Sequence, residues 1–547
     1  MLTVKQETIS LLTRDRLRLD ADIYYPETTE ALPILLMRQP YGRKIASTVV
    51  YAHPRWYAAQ GYIVIIQDVR GRGTSQGEFK LFENEILDGL DTLNWLAQLP
   101  NSTGEVGMYG FSYQGMTQLY AAASQPPNLK TICPAMIAQD LYQDWAYENN
   151  AFCLQLNMAW AIQLAAETAK LRGDNDDFQK LYYASRHLPL TDNIPANPQI
   201  LQELAPDSFY HDWLNRPQSD PYWQNLSPQN LLENIDLPIL HIGGWFDPHL
   251  RGNLRLYQTL QNRCRSPQHL VVGPWGHLPW GQSLGEINYG EAANSFIDQM
   301  QIAWFDYFLK QKNSALMTNL PVKLFEMGSN QWRYYDNFTS GKQQIHYLHS
   351  NGLAAINNQA GKLVTTLPDV EIPVTDYFVH DPWRPVPSLG GHASFPAGVF
   401  ERSLLDCRTD IVTYTSEPLT TDLHLLGSPM VEIQVQADSE SFDLCAILSR
   451  MTADGNVYHI SQGYRRLNQS QAVVNLSLQA TCIKIPKGDR LRLSLSGACF
   501  PAYNVNAGTG KALAEAQLLE QQVITISIEL GKHFNSKLCL SLNKNIV

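Results

Sequence analysis

The stretch Gly104–Ala123, GEVGMYGFSYQGMTQLYAAA, decides how this chain is read. Its centre is Gly110-Phe111-Ser112-Tyr113-Gln114-Gly115. An apolar run from Val106 to Tyr109 leads in, and a helically spaced segment (Thr117, Leu119, Tyr120, Ala121) leads out. A strand, a sharp turn and a helix with serine at the apex make a nucleophile elbow. The turn brings neighbouring backbone so close that small residues are needed beside the serine. Gly110 and Gly115 supply the room, the second one position later than in the usual G-x-S-x-G spacing. By itself the stretch also fits a Gly/Ser turn in an ordinary α/β domain. The rest of the chain has to supply a base, an acid and oxyanion donors.

Upstream, Thr3–Ser10, Leu17–Tyr25 and Leu32–Arg38 read as strands, the last closed by the loop Arg38-Gln39-Pro40-Tyr41-Gly42. A helix is expected over Ser47–Gln60. Tyr62–Asp68 is a continuous apolar run, as in a parallel strand buried on both faces. A turn-rich loop (Asp68–Gly77) and a helix (Glu83–Leu99) precede the elbow, and Leu129–Ile137 is the next strand. Strands alternating with helices imply a doubly wound α/β sheet. Between about 138 and 235 the strand signals vanish. Asp140–Arg172 reads as helical and Leu188–Pro228 as irregular. This is an insertion at the edge of the sheet where strand carboxyl ends carry a site. Leu237–Ile242 and His269–Val272 restore strands, with a helix near Arg251–Gln261 between them and an amphipathic helix, Ala292–Lys310, after them. From about 320 the period becomes two, and short strands split by turns suggest a β-sandwich or jelly roll. The expected division is 1–137 and 236–318 for the α/β domain, 138–235 for a helical cap and 319–547 for an all-β domain.

Composition narrows the class. A chain of 547 residues buries several cores, and 44% hydrophobic content is ordinary for a globular protein. No run of about 18 apolar residues occurs, so no transmembrane helix is expected. The N-terminal segment lacks an apolar h-region, so no signal peptide is expected. Eight cysteines are scattered without a C-x-x-C, which fits a reduced, cytoplasmic protein. A net charge of −11 argues against a nucleic-acid partner. There is no H-E-x-x-H and no Walker A pattern, and neither a metal nor an organic cofactor is expected. Self-association into a homo-oligomer stays open.

A serine nucleophile needs a base, and the base an orienting acid. In α/β-hydrolases these follow the serine in the order acid, then His, each on a loop after a strand. Gly243-Gly244-Trp245-Phe246-Asp247 follows the first restored strand, and Gly273-Pro274-Trp275-Gly276-His277 the second. The bland alternatives are a helix N-cap for Asp247 and a loop histidine for His277. His241, inside a strand, and His249, at a helix start, rank lower as the base.

Several motifs together resemble the Xaa-Pro dipeptidyl-peptidase/cocaine esterase family of α/β-hydrolases. They are Pro40-Tyr41-Gly42, Asp68-Val69-Arg70-Gly71-Arg72-Gly73 with Ser75, Gly77 and Phe79, the elbow, and the two loops ending at Asp247 and His277. Asp381-Pro382 with Gly390-Gly391, Tyr414-Thr415-Ser416-Glu417-Pro418-Leu419, and Phe500-Pro501 with Asn504 and Asn506 extend the likeness through the C-terminal part. The resemblance implies an α/β-hydrolase fold with a helical cap and a C-terminal jelly roll. By motif it makes Ser112 the nucleophile, His277 the general base and acid, and Asp247 its orienter. It draws the oxyanion hole from the Tyr41 hydroxyl and the backbone N–H of Tyr113. Trp145 and Trp160 match two cap tryptophans that line the acyl pocket, and Phe246 is assigned to substrate binding beside them. Pro248 and His249 depart from the family after the acid.

The implied activity is a cytoplasmic serine hydrolase cleaving small ester or amide acyl bonds. Xaa-Pro dipeptide release is the alternative within enzymes, and a non-catalytic binding protein on a degenerate hydrolase fold is the alternative outside them. Two further expectations concern the pocket. Asp140, Asp144 and Glu148, at i, i+4 and i+8, would share one helical face. That face is either solvated, or it turns Asp144 toward the pocket to hold a substrate ammonium. His392 or Phe395 is expected to border the same pocket.

Overall fold

The computed structural model describes residues 3–339, 341–369 and 371–543. The N-terminal part is built on a ten-stranded mixed sheet. β1 (Val4–Leu12) and β2 (Arg18–Pro26) form an antiparallel hairpin. β3 (Leu32–Gln39), α1 (Pro54–Ala59), β4 (Ile63–Asp68), α2 (Glu85–Leu96), β5 (Ser102–Phe111), α3 (Tyr113–Ala123) and β6 (Leu129–Ala135) follow. The helix expected over Ser47–Gln60 is shorter. It starts only at Pro54, whose missing N–H suits a first helical turn, and His53 caps it by accepting from the Arg55 N–H.

The cap begins with a π-turn (Tyr142–Ala146) and a two-residue hairpin, β7 (Tyr147–Glu148) and β8 (Ala151–Phe152). Helices α4 (Leu154–Arg172), α5 (Asn175–Arg186), α6 (Gln199–Leu204), α7 (Phe209–Asn215), α8 (Pro221–Leu226) and α9 (Pro228–Leu231) complete it. The single helix expected over Asp140–Arg172 is therefore corrected: only its second half is helical. β9 (Ile239–Phe246), α10 (Leu250–Arg263), β10 (Gln268–Gly276) and α11 (Ile297–Lys310) return to the sheet.

The strand order is β1-β2-β4-β3-β5-β6-β9-β10, extended by Val322–Glu326 and Gln331–Tyr335. The α/β sheet thus runs past the boundary expected at 319. From β3 the chain turns to one side, to β4; from β5 it turns to the other, to β6. The carboxyl ends of β3 and β5 therefore flank a topological switch point, where an open sheet leaves a crevice. β4 and β9 are buried along their whole lengths, as strands covered on both faces are. One face packs on α2, α3 and the cap in a continuous apolar core; the other packs on α1 and α11 through Tyr57, Trp304 and Phe305.

The C-terminal part is an eleven-stranded, largely antiparallel sheet closed around its own core, including Val431, Ile433, Leu444, Leu493 and Ile526. Ile524–Leu530 alternates strictly between buried and half-buried positions, the period-two signal of the sequence. With the first sheet, this makes an α/β-hydrolase carrying a cap and a C-terminal jelly roll. Among the described residues no helix is long and apolar enough to cross a membrane.

Candidate active site

Ser112 occupies the turn between β5 and α3 with φ 58° and ψ −127°, a conformation that costs a non-glycine residue on the order of 1–3 kcal/mol. Its surroundings hold it there. Its N–H donates to Ala135 O (2.9 Å), and its carbonyl accepts from the N–H groups of Gly115 and Met116 (both 2.9 Å). Gly110 has φ 142°, and a Cβ on it would stand 2.5 Å from Gln114 Cβ. A Cβ on Gly115 would lie 2.4 Å from Ile137 Cγ2 and 2.8 Å from Ala135 O. The displaced glycine of the motif is thus explained: the tightest approach is where the first turn of α3 crosses the end of β6.

Asp247 follows β9 and His277 follows β10, and these strands are parallel neighbours. The His277 Nδ1–H donates to Asp247 Oδ1 at 2.8 Å; the carboxylate is fully buried and the imidazole 24% exposed. Asp247 Oδ2 accepts from the His249 N–H (3.2 Å). Gln479 of the jelly roll donates to both Trp245 O and Asp247 O (3.0 Å each), clamping the acid loop from the second domain. The Phe111 ring, adjoining Ser112, lies 5.5 Å from the His277 ring. Ser112, Asp247 and His277 thus occupy one edge of the sheet, at the ends of β5, β9 and β10.

Beside them His249 stacks on Trp145 (4.1 Å) and meets His277 edge-on (5.3 Å). Its Nδ1–H donates to Asp144 O (3.1 Å). Burial holds His249 down to about 4, so it is neutral at physiological pH and does not compete for protons with its neighbour. Asp247, His249 and His277 present ligand atoms within 4.8 Å of one another. Within this trio His277 Nδ1 is bonded to Asp247 Oδ1, and the His249 Nδ1–H is committed outside it to Asp144 O.

Tyr41 lies just beyond β3, across the switch point from Ser112. Its hydroxyl accepts from Trp160 Nε1–H at 3.1 Å. Burial pushes the phenol up to about 12, against the opposing pull of that hydrogen bond and of nearby Arg72, so it keeps its proton at neutral pH. The loop is pinned two residues on. The Arg43 N–H donates to Asp68 Oδ1 (2.7 Å), and its guanidinium pairs with Asp22 (2.9 Å) and Asp68. Gly73 has φ 57°, and a Cβ there would collide with the Asp68 carboxylate, which accounts for the glycine-rich run after that acid.

Tyr113 opens α3, where first-turn N–H groups have no intrahelical acceptor. Its ring stacks on Phe82 (4.6 Å), and its hydroxyl donates to Glu85 Oε1 (2.8 Å). Glu85 in turn holds Arg38 of β3 (2.6 Å). One buried Arg38–Glu85–Tyr113 chain therefore joins the Tyr41 loop to the elbow.

Residues 15–279 match the X-Pro dipeptidyl-peptidase (S15 family) domain, and residues 313–536 the X-Pro dipeptidyl-peptidase C-terminal non-catalytic domain. The cocaine esterase of Rhodococcus sp. (strain MB1 Bresler) is 29% identical over 563 residues, covering 97% of each chain. The chain belongs to the Xaa-Pro dipeptidyl-peptidase/cocaine esterase family. Two solved structures share its fold along nearly the whole length. An aminopeptidase from the marine sediment archaeon Thaumarchaeota archaeon has TM-score 0.83 at 21% identity, covering 99% of this chain and 97% of that one. An α-amino acid ester hydrolase has TM-score 0.80 at 20% identity, with the same coverage. Its relatives in this family are serine esterases and peptidases, and the chain is a serine hydrolase.

Against that family pattern, the cap tryptophans come together while other expected pocket residues do not. Trp145 and Trp160 are 5.3 Å apart and both border Phe82. Phe246 is 2% exposed and packs with Leu250, Leu254, Leu270 and Val272; it is a core residue beneath the acid loop. The shared helical face of Asp140, Asp144 and Glu148 does not exist, because the π-turn and hairpin separate the three. For Asp144 and Glu148 neither expected state holds, while Asp140 is half-buried. Asp144 is fully buried, paired with Arg255 and accepting from the Gln139 and Asp140 N–H groups (3.1 and 2.8 Å). Glu148 is buried and takes Arg251 (2.9 Å), His392 (3.0 Å) and the Tyr503 hydroxyl (2.6 Å). Its carboxylate is held down to about 2: burial acts upward, and the Arg251 charge and His392 outweigh it. His392 is therefore spent on Glu148, and Phe395 is 81% exposed on a loop whose backbone pairs with Gln155.

Sequence reasoning missed Gln479, the Arg38–Glu85 pair and Arg251, whose partners are remote in the chain. It ranked His249 below His277 as a base, although a position two residues after the acid already placed it at the site.

Proposed function

We propose that this protein hydrolyses small ester or amide acyl bonds through an acyl-enzyme on Ser112. The observation that carries this reading is the 2.8 Å hydrogen bond from His277 to a fully buried Asp247, on the sheet edge where Ser112 is held at a strained turn. Asp247 keeps Nδ1 protonated, which leaves Nε2 of His277 as the basic nitrogen. His277 takes the Ser112 proton as Oγ attacks the acyl carbon. The developing oxyanion is met by the Tyr41 hydroxyl and the Tyr113 N–H. Two such donors aimed at a charge present only in the transition state contribute several kcal/mol. His277 then protonates the leaving alcohol or amine, and a water activated by the same imidazole releases the acid. Trp145 and Trp160 form the apolar wall for the acyl group.

Ester and neutral acyl-amide substrates are favoured over Xaa-Pro dipeptides. A peptidase acting from a free N-terminus needs a carboxylate for the substrate ammonium, and Asp144 and Glu148 are already neutralised by arginines. The matched family domains, both described from X-Pro dipeptidyl-peptidases, support the second reading. Turnover of p-nitrophenyl butyrate against an Ala-Pro p-nitroanilide discriminates them. Faster release from the ester is expected, and faster release from the anilide would reverse the assignment.

A further inference from the structure

We infer that Trp160 positions the oxyanion-hole tyrosine: its indole N–H dictates where the Tyr41 hydroxyl proton points. This rests on the reading of Tyr41 as an oxyanion donor. An indole nitrogen is a donor and has no acceptor capacity, whereas a phenol both donates and accepts. At 3.1 Å from Trp160 Nε1, the Tyr41 oxygen can only be the acceptor of that bond. Its single proton is then turned away from the indole. Arg72, whose charge acts on the same phenol, disfavours a proton directed toward itself. Both neighbours therefore leave the O–H free to aim at a third partner, which is what an oxyanion donor requires before the reaction starts.

The indole is well placed to do this because it cannot turn. Trp160 lies in α4, is 9% exposed, and is enclosed by Trp145 (5.3 Å), Phe209 (5.1 Å), Trp213 (6.1 Å) and Phe82 (6.4 Å). Packing fixes the ring, the ring fixes the N–H, and the N–H fixes the phenol. Phenylalanine would serve as well for an apolar pocket wall, and only tryptophan can perform the second task. The cap thus reaches beyond the acyl group and sets the donor geometry of a residue 119 positions earlier in the chain.

The test is a double-mutant cycle read on a small aryl ester with wild type, Trp160→Phe, Tyr41→Phe and the double variant. Trp160→Phe is expected to lower kcat roughly tenfold with KM within about twofold, since the lost interaction acts on the transition state. In the Tyr41→Phe background the same change is expected to shift kcat by less than about twofold, because the hydroxyl to be positioned is gone. Multiplicative effects of the two substitutions, or an effect of Trp160→Phe confined to KM, would overturn the inference and leave Trp160 a pocket wall. Wild-type kcat in Tyr41→Phe alone would instead remove the oxyanion reading beneath it. If Trp160→Phe fails to fold, benzothienylalanine at 160 keeps the shape of tryptophan with sulfur in place of N–H. The same cycle with that residue carries the same expectations.

Discussion

Two places in this protein reverse the chain sharply next to the site, and they do so by different physics. At the elbow, β5 passes into α3 through Ser112. At the cap entry, β6 passes through a π-turn and the β7–β8 hairpin into α4. The elbow is held by local stereochemistry: glycines where a Cβ would strike backbone, and hydrogen bonds to the adjacent strand. The cap entry is held by buried charge. Arg255 and Arg251 of α10 take Asp144 and Glu148, and the jelly roll adds His392 and Tyr503. One turn is written where it occurs, and the other by residues more than one hundred positions away. The elbow serine and the cap entry therefore have separate supports.

The largest expected effect tests the cap side. Glu148→Ala leaves the Arg251 guanidinium largely buried without its main partner and should cost about 3–5 kcal/mol in unfolding free energy. Chemical denaturation measures it; a loss below about 1 kcal/mol would mean that the cap entry stands without its charges. The same pair has a pH signature. The folded carboxylate titrates at about 2, below its ordinary 4.5. Its contribution, roughly 3 kcal/mol, is complete above the unfolded value and is lost as pH falls from about 4.5 toward 2. Glu148→Gln should lack this part of the acid dependence.

Next in size, Tyr41→Phe should lower kcat about 10²-fold, near 2.7 kcal/mol, with little change in KM. A change confined to KM would make Tyr41 a wall of the pocket and detach the β3 loop from the chemistry. The smallest effect sharpens the elbow side. Gly115→Ala puts a methyl against Ile137 and Ala135 O and should cost about 2 kcal/mol of stability, with activity falling alongside. Full stability and activity would show that the turn has slack.

The same contrast explains what could be read from sequence. β1 to β5, the elbow and the two polar residues at the ends of β9 and β10 were legible, because apolar runs and glycine spacing are local signals. The cap entry was not. Spacing at i, i+4 and i+8 suggested a helix, but desolvated carboxylates that find arginines on α10 override a weak helical preference. The all-β part was legible as a class from its period of two. The first two strands after the expected boundary at 319, Val322–Glu326 and Gln331–Tyr335, join instead the open edge of the first sheet beside β10. Nothing local announces that choice of sheet. Nor does it announce Gln479, which reaches from the jelly roll to the acid loop.

The central claim is that the strained serine at the elbow is the nucleophile. A fluorophosphonate probe followed by peptide mass spectrometry tests it directly. The account predicts one covalent adduct on the peptide spanning residues 104–123, located at Ser112 and absent from Ser112→Ala protein that retains its fold. Labelling at another residue, or esterase activity near wild type in Ser112→Ala, would contradict it.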